Sequence, residues 1–212
     1  MADDDIERQG PSVFSTTTDD TAQTTSRAKP SAARDRILAT ATDLFVSTGI
    51  RSVGVDRLIV ESGVARATFF RHFPAKDDLV VAFLETRAAD ARAELTAIRS
   101  APGGARALLA EIAAGSKQGV GSPDFRGCEY INTAAEYCDP HHIVRVVVDR
   151  HRSWVRDIMA DALTELGHPA PFATAEVLFT MRTGAIVASS LEGFRDSDGA
   201  FERAWWALVD QR

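Results

Sequence analysis

The stretch "GVARATFFRHFPAKDDLV", Gly63 to Val80, decides how the chain folds. It sets three phenylalanines, four basic side chains and a proline within eighteen residues. Phe69 and Phe73 stand four apart, so on a helix they share one face and pack inward together. Pro74 lacks an N–H and forbids continuation, which predicts a short helix from about Ala65 or Arg66 to His72. Just upstream, Val55, Leu58 and Ile59 mark another short helix, around Val55 to Glu61, broken by Ser62-Gly63. Two short helices joined by a tight glycine-containing turn form a helix-turn-helix, whose second helix reads DNA in the major groove.

The side chains left pointing outward suit that role. Arg66 can donate to guanine or to phosphate, and Thr68 can offer a hydroxyl to a base edge or its methyl to thymine. Ala67 is small enough for close approach, while Phe70 and Arg71 cover other outward directions. His72 and Lys76 are placed to hold phosphates and fix the register. Arg51, in the turn before the second helix, joins them as an expected contact. The helix beginning at Lys76 adds backbone N–H groups for a phosphate, partly opposed by Asp77 and Asp78.

Charge supports the reading, although the chain as a whole carries −6. Residues 27–76 hold nine bases against four acids, whereas residues 1–26 hold six acids against Arg8 alone. A net +5 within fifty residues of an acidic chain is a local field that an anionic polymer feels. A solvated basic face is the plain alternative.

Outward from this segment the chain reads as all-α. Residues 1–30, rich in Thr, Ser and Asp with little to bury, are expected to be a disordered tail. From Ser31, a possible N-cap, Ile37, Leu38, Ala41, Leu44 and Phe45 recur at helical spacing, and Gly49 stops the helix. A long helix from Lys76 runs through Leu79, Phe83, Ala88, Leu95 and Ile98 to Pro102-Gly103-Gly104. Further helices are expected over Ala105–Gly115 and near Cys128–Tyr137, then after Asp139-Pro140, a good N-cap and first-turn pair. "IVRVVVDR" is β-branched, yet Val147, Trp154, Val155, Ile158 and Ala162 continue one helical face through it. Ala170 to Leu191 is apolar almost all round, and Phe201, Trp205 and Leu208 stripe the last helix. The expected division is a tail (1–30), a helix-turn-helix domain (31–78) and a helical body (79–212).

At "GVARATFFRHFPAKDDL", preceded by "GIRSVGVDRLIVES", the chain resembles the TetR family of bacterial transcriptional repressors over residues 34–84 or so. That family's segment reads approximately Gly-Val-Ser-x-x-Thr-Leu-Tyr-x-His-Phe, followed by Lys and Leu. The resemblance implies a three-helix DNA-binding head, a C-terminal helical ligand-binding and dimerisation body, and a homodimer. It further implies a ligand-responsive regulator, a repressor that holds a palindromic operator and leaves it when a small-molecule inducer binds. Arg66, Ala67, Thr68 and Phe70 correspond by position to the groove-facing set, and His72 and Lys76 to phosphate contacts. The chain departs from the pattern at three places: Ala65 replaces the capping Ser, Phe70 replaces Tyr, and Val53-Gly54 replaces the Thr pair at the start of the second helix.

The body offers weaker signals. "RGCEYINTAAEYCDP" and "HRSWVRDIMADAL" resemble one branch of the same family without naming a ligand. Cys128, Asn132, Trp154, Met181 and Arg182 are the candidate ligand-binding residues. Cys128 is either a sensing thiol, which makes an oxidant or electrophile sensor the alternative function, or a small apolar core residue. Arg182 either pairs with an acid across a dimer or binds an acidic ligand. The greasy Ala170–Leu191 segment and the Phe201/Trp205/Leu208 stripe are expected to form a four-helix dimer interface.

Other classes find little footing. No Gly-x-Ser-x-Gly elbow, phosphate-binding glycine loop or His-Glu-x-x-His is present, so no enzyme and no cofactor are expected. Cys138, His141 and His142 match no common metal spacing. A helical scaffold that uses the head to bind protein is the remaining alternative. No apolar run reaches the roughly 18–20 residues of a membrane span. The start Met1-Ala2-Asp3-Asp4-Asp5 has neither a basic nor an apolar leader, so a cytoplasmic protein is expected.

Overall fold

The computed structural model describes residues 31–116, 125–191 and 199–211, and the expected tail of residues 1–30 lies outside them. Nine helices and no strands occur among the described residues: α1 (Ala32–Thr48), α2 (Val55–Ser62), α3 (Arg66–His72), α4 (Lys76–Arg99), α5 (Gly104–Gly115), α6 (Glu129–Glu136), α7 (Ile143–Glu165), α8 (Pro171–Leu191) and α9 (Ala200–Val209).

The first core gathers the apolar stripe of α1 against α2, α3 and the first half of α4. Ile37, Ala41, Leu58, Phe69, Leu79 and Leu84 are fully or almost fully buried there. Phe45 meets Phe83 edge-on with ring centroids 5.6 Å apart, an arrangement that adds to plain area burial. Tyr130 of α6 and Val144, Val147 and Val148 of α7 close the same core. The head is therefore covered by two helices that arrive much later in the chain. The expected boundary at residues 78/79 falls inside α4, whose Leu95 and Ile98 pack on the second core instead.

That second core joins α5, α7, α8 and α9 around Leu108, Leu109, Met159, Leu163, Leu178 and Trp205. Phe201 and Trp205 are buried inside it, whereas Leu208 of the same stripe and Trp206 are only partly buried. Gly104 opens α5 where a Cβ would lie 2.0 Å from the Arg99 carbonyl oxygen, a contact only glycine avoids. His168 binds the start of α8 to α9. Its Nδ1 accepts from the Ala170 N–H, so Nε2 carries the proton and donates to the Leu208 carbonyl at 2.9 Å.

Two helix starts differ from expectation. Ser31 occupies the N-cap position of α1 without a side-chain cap bond, because its hydroxyl lies 3.2 Å from His72 Nε2. Asp139-Pro140 does not begin α7. The Asp139 carboxylate accepts from the His141 N–H, and the helix starts three residues later, with His142 Nδ1 capping Val144.

Candidate nucleic-acid interface

Gly63 makes the turn between α2 and α3. Its φ of 62° is left-handed, and its N–H closes onto the Val60 carbonyl. Val64 is then buried and Ala65 is the N-cap of α3, with no side chain able to cap. Phe69 and Phe73 anchor the helix, exposed by 0% and 2%. This leaves Arg66, Ala67, Phe70 and Arg71 exposed and Thr68 half-buried on the outer side.

Arg66 holds Asp56 of α2 at 2.5 Å and lies over the Phe70 ring at 5.3 Å. Both partners of that ion pair are largely exposed, so the bond is weak and exchangeable for a phosphate or a base. His72 is half-buried and bound to Ser31. Lys76 is committed inward. Its ammonium donates to the Ile50 carbonyl at 2.6 Å, and burial lowers its pKa despite the nearby Glu136 and Asp77 carboxylates. Arg51 is exposed and reaches the Glu136 carbonyl at 3.4 Å. The amino end of α4 is already capped, since the Asp78 carboxylate accepts from the Ala75 N–H at 2.8 Å.

A polar clasp joins this head to the body. Tyr137 donates to Asp77 Oδ1 at 2.8 Å, and burial together with that bond pushes its phenol up. The His142 ring lies tilted against Tyr137, with its Nε2 3.3 Å from Asp77 Oδ2. Cys138 lies apart from His141 and His142 in role, its thiol donating to the Ala135 carbonyl. No group of three or more His, Cys, Asp or Glu is gathered for a metal among the described residues.

The body contains a cavity of about 290 Å³ between α4, α5, the start of α6, α7 and α8. Cys128, Trp154 and Arg182 line it, together with Phe125, Tyr130 and His151. Asn132 does not reach it. Its amide donates to the Arg126 carbonyl and faces a separate depression beside Glu136. Met181 is also absent from the cavity and packs on the second core. Phe172 is an exposed residue of α8, along with Val177 and Leu191.

Sequence reading missed His151. The signal was a lone histidine in the apolar row Val147, His151, Val155 of α7. It stacks flat on Tyr130 with centroids 3.8 Å apart, and its buried Nδ1 has no hydrogen-bond partner. Burial, then the charges of Arg182, Arg92 and Arg152, push its pKa down to about 4. Burial and Glu129 raise the Cys128 pKa despite Arg182, so the thiol stays protonated, whereas reactive cysteines have theirs lowered. Cys128 and Cys138 are both free.

A short helix anchored by two phenylalanines, turned on a left-handed glycine and showing an arginine-bearing outer face, defines a helix-turn-helix protein of the DNA-binding type. The family described as "Bacterial regulatory proteins, tetR family" matches residues 37–83. A TetR-family transcriptional regulator from Streptomyces coelicolor is 39% identical and superposes with a TM-score of 0.70, over 84% of this chain and 92% of that one. The transcriptional repressor NemR of Escherichia coli K12 is 27% identical over 162 residues, 72% of this chain and 81% of the repressor. A solved reduced form of E. coli NemR shares the fold, with a TM-score of 0.65 and 24% identity over 83% of this chain and 95% of that one. The chain belongs to the TetR family of transcriptional regulators. No helix among the described residues is long and apolar enough to cross a membrane.

Proposed function

We propose that two copies of this chain bind a two-fold-symmetric operator in the cytoplasm as a repressor, and that a small molecule in the body cavity releases them. One observation carries the DNA-binding half: the outer face of α3 presents Arg66, Ala67, Phe70 and Arg71 to solvent, while Phe69 and Phe73 fix the helix from behind. Arg66 and Thr68 read base edges. Arg71, His72 and Arg51 hold phosphates, and Lys76 braces the head through Ile50. Two recognition helices reach successive major grooves when about 34 Å apart, which requires a paired body. The exposed Phe172, Val177 and Leu191 on α8 supply apolar surface for that pairing.

Release follows from the placement of α6. Its first turn, with Glu129 and Tyr130, walls the cavity, while Glu136 and Tyr137 at its other end hold Arg51 and Asp77 of the head. A ligand that fits only one position of α6 changes the angle of the head, and lowers DNA affinity through that difference. The high pKa of Cys128 favours ligand occupancy over thiol oxidation as the trigger.

Footprinting on the DNA upstream of the gene tests the reading. The expected result is a symmetric protected site whose half-sites are one helical turn, or a multiple, apart. An unprotected sequence at low salt would overturn it.

A further inference from the structure

We infer that the body cavity binds a small organic acid, its carboxylate held by the Arg182 guanidinium and the His151 imidazole and its carbon skeleton by Trp154, Phe125 and Ile112. The inference rests on the ligand-regulated reading above for its biological use, although not for its chemistry.

Arg182 is the starting observation. It projects from α8, whose 21 residues carry Glu176 as their other charge. It has no hydrogen bond or ion pair among the described residues, and burial weakens its hold on the proton. The carboxylate closest to it in effect, Glu129, is already bound by Arg87 at 3.1 Å. A desolvated guanidinium without a counter-ion is costly unless a partner arrives. The second observation is His151, which lines the same cavity and whose buried Nδ1 also lacks a partner. Its neutral ring carries one N–H that can donate to a carboxylate oxygen.

The unpaired Arg182, beside His151, sets the sign of the occupant it would hold. The lining arginines are Arg182 and Arg87, the latter tied to Glu129. Arg92, over Trp154 at 5.4 Å, and Arg152, over Phe179 at 4.7 Å, add positive charge near His151 from outside the lining. The lining acids are Asp90 and Glu94, exposed on α4, Glu111, half-buried on α5, and Glu129, already held by Arg87. At that end of the cavity a cation would meet the unpaired Arg182, and a neutral ligand would leave Arg182 without a counter-charge. A carboxylate satisfies both Arg182 and His151 through charge-assisted bonds, about twice as strong as neutral ones. The volume of about 290 Å³ admits an aromatic acid of one or two rings and not a large lipid.

The test is calorimetric titration of the full chain with benzoate and 2-naphthoate, each beside its uncharged partner, benzamide or 2-naphthamide. The expected result is that at least one acid binds, about tenfold tighter than its amide. Arg182→Met removes that preference and Arg182→Lys keeps it. Because an apolar side chain replaces an unpaired buried charge, ligand-free Arg182→Met is also expected to melt no lower than the wild type, which separates lost binding from lost folding. Binding of neither acid, amides binding as tightly as acids, or an unchanged preference in Arg182→Met would each overturn the inference. Operator binding in the same samples keeps the two readings apart. Intact DNA binding with failed acid binding sinks only the ligand class, whereas failed DNA binding sinks the regulator and leaves the titration standing.

Discussion

Arg66 and Arg182 are the same side chain put to opposite uses. Arg66 stands on α3 with its side chain 66% exposed, lightly tied to Asp56. Arg182 is pressed into an apolar helix beside a cavity, with no partner among the described residues. Water stabilises the first until a large external polyanion replaces it, so its contribution is screened by salt. The second is half-buried and has lost much of its water already, and its partner must be small enough to enter. An exposed arginine thus marks a surface that salt can compete for, and an unpaired half-buried one marks a site defined by shape and charge together.

The largest test of this contrast asks whether head and body are one folding unit. Phe69→Ala is expected to cost about 3–5 kcal/mol in urea unfolding, like Trp205→Ala in the second core. Both are expected to shift a single transition, because α4, α6 and α7 contribute to the core of the head. Two separable transitions would break the picture of a clasped head.

Next in size is the pH dependence set by His151. Its folded pKa of about 4 lies below the unfolded value of 6.5, so the unfolded chain takes up the proton first as pH falls. The contribution of His151 is therefore fully present above about pH 6.5 and is lost progressively down to about pH 4, roughly 3 kcal/mol in all. His151→Phe is expected to flatten that part of the stability profile. An unchanged profile would mean that the ring is solvated.

Arg66→Ala is expected to weaken operator binding by about 1–3 kcal/mol while leaving stability nearly unchanged, since its bond to Asp56 is exposed. Fluorescence anisotropy on the footprinted site measures the first and thermal melting the second. Smallest are the effects of reversing two of the departures from the family's sequence pattern. Ala65→Ser supplies the missing cap of α3 and is expected to add about 1 kcal/mol. Phe70→Tyr is expected to tighten operator binding slightly or leave it unchanged. A tenfold weakening would show that Phe70 faces something other than DNA.

The head was legible because its signals are local. A glycine, a proline and two phenylalanines four apart define the turn, the stop and the buried face within a dozen residues. The body was legible as helices but not as a site. Met181 and Asn132 carry plausible chemistry, yet only the packing of α8 and α6 shows that they miss the cavity. Phe201 and Trp205 read equally well as an interface or a core, because periodicity records that a face is buried and not what buries it. Asp139-Pro140 failed for a related reason: its carboxylate found a nearer N–H in His141, and the cap passed to His142.

The most direct measurement is the affinity of the full chain for its upstream operator as salt is raised, repeated with Arg66→Ala/Arg71→Ala. The account predicts tight, sequence-selective binding that falls by roughly a thousandfold or more between 50 and 200 mM salt, with a visibly shallower dependence in the double variant. Affinity indifferent to salt, or a double variant that binds and responds like the wild type, would contradict the placement of α3 in the groove.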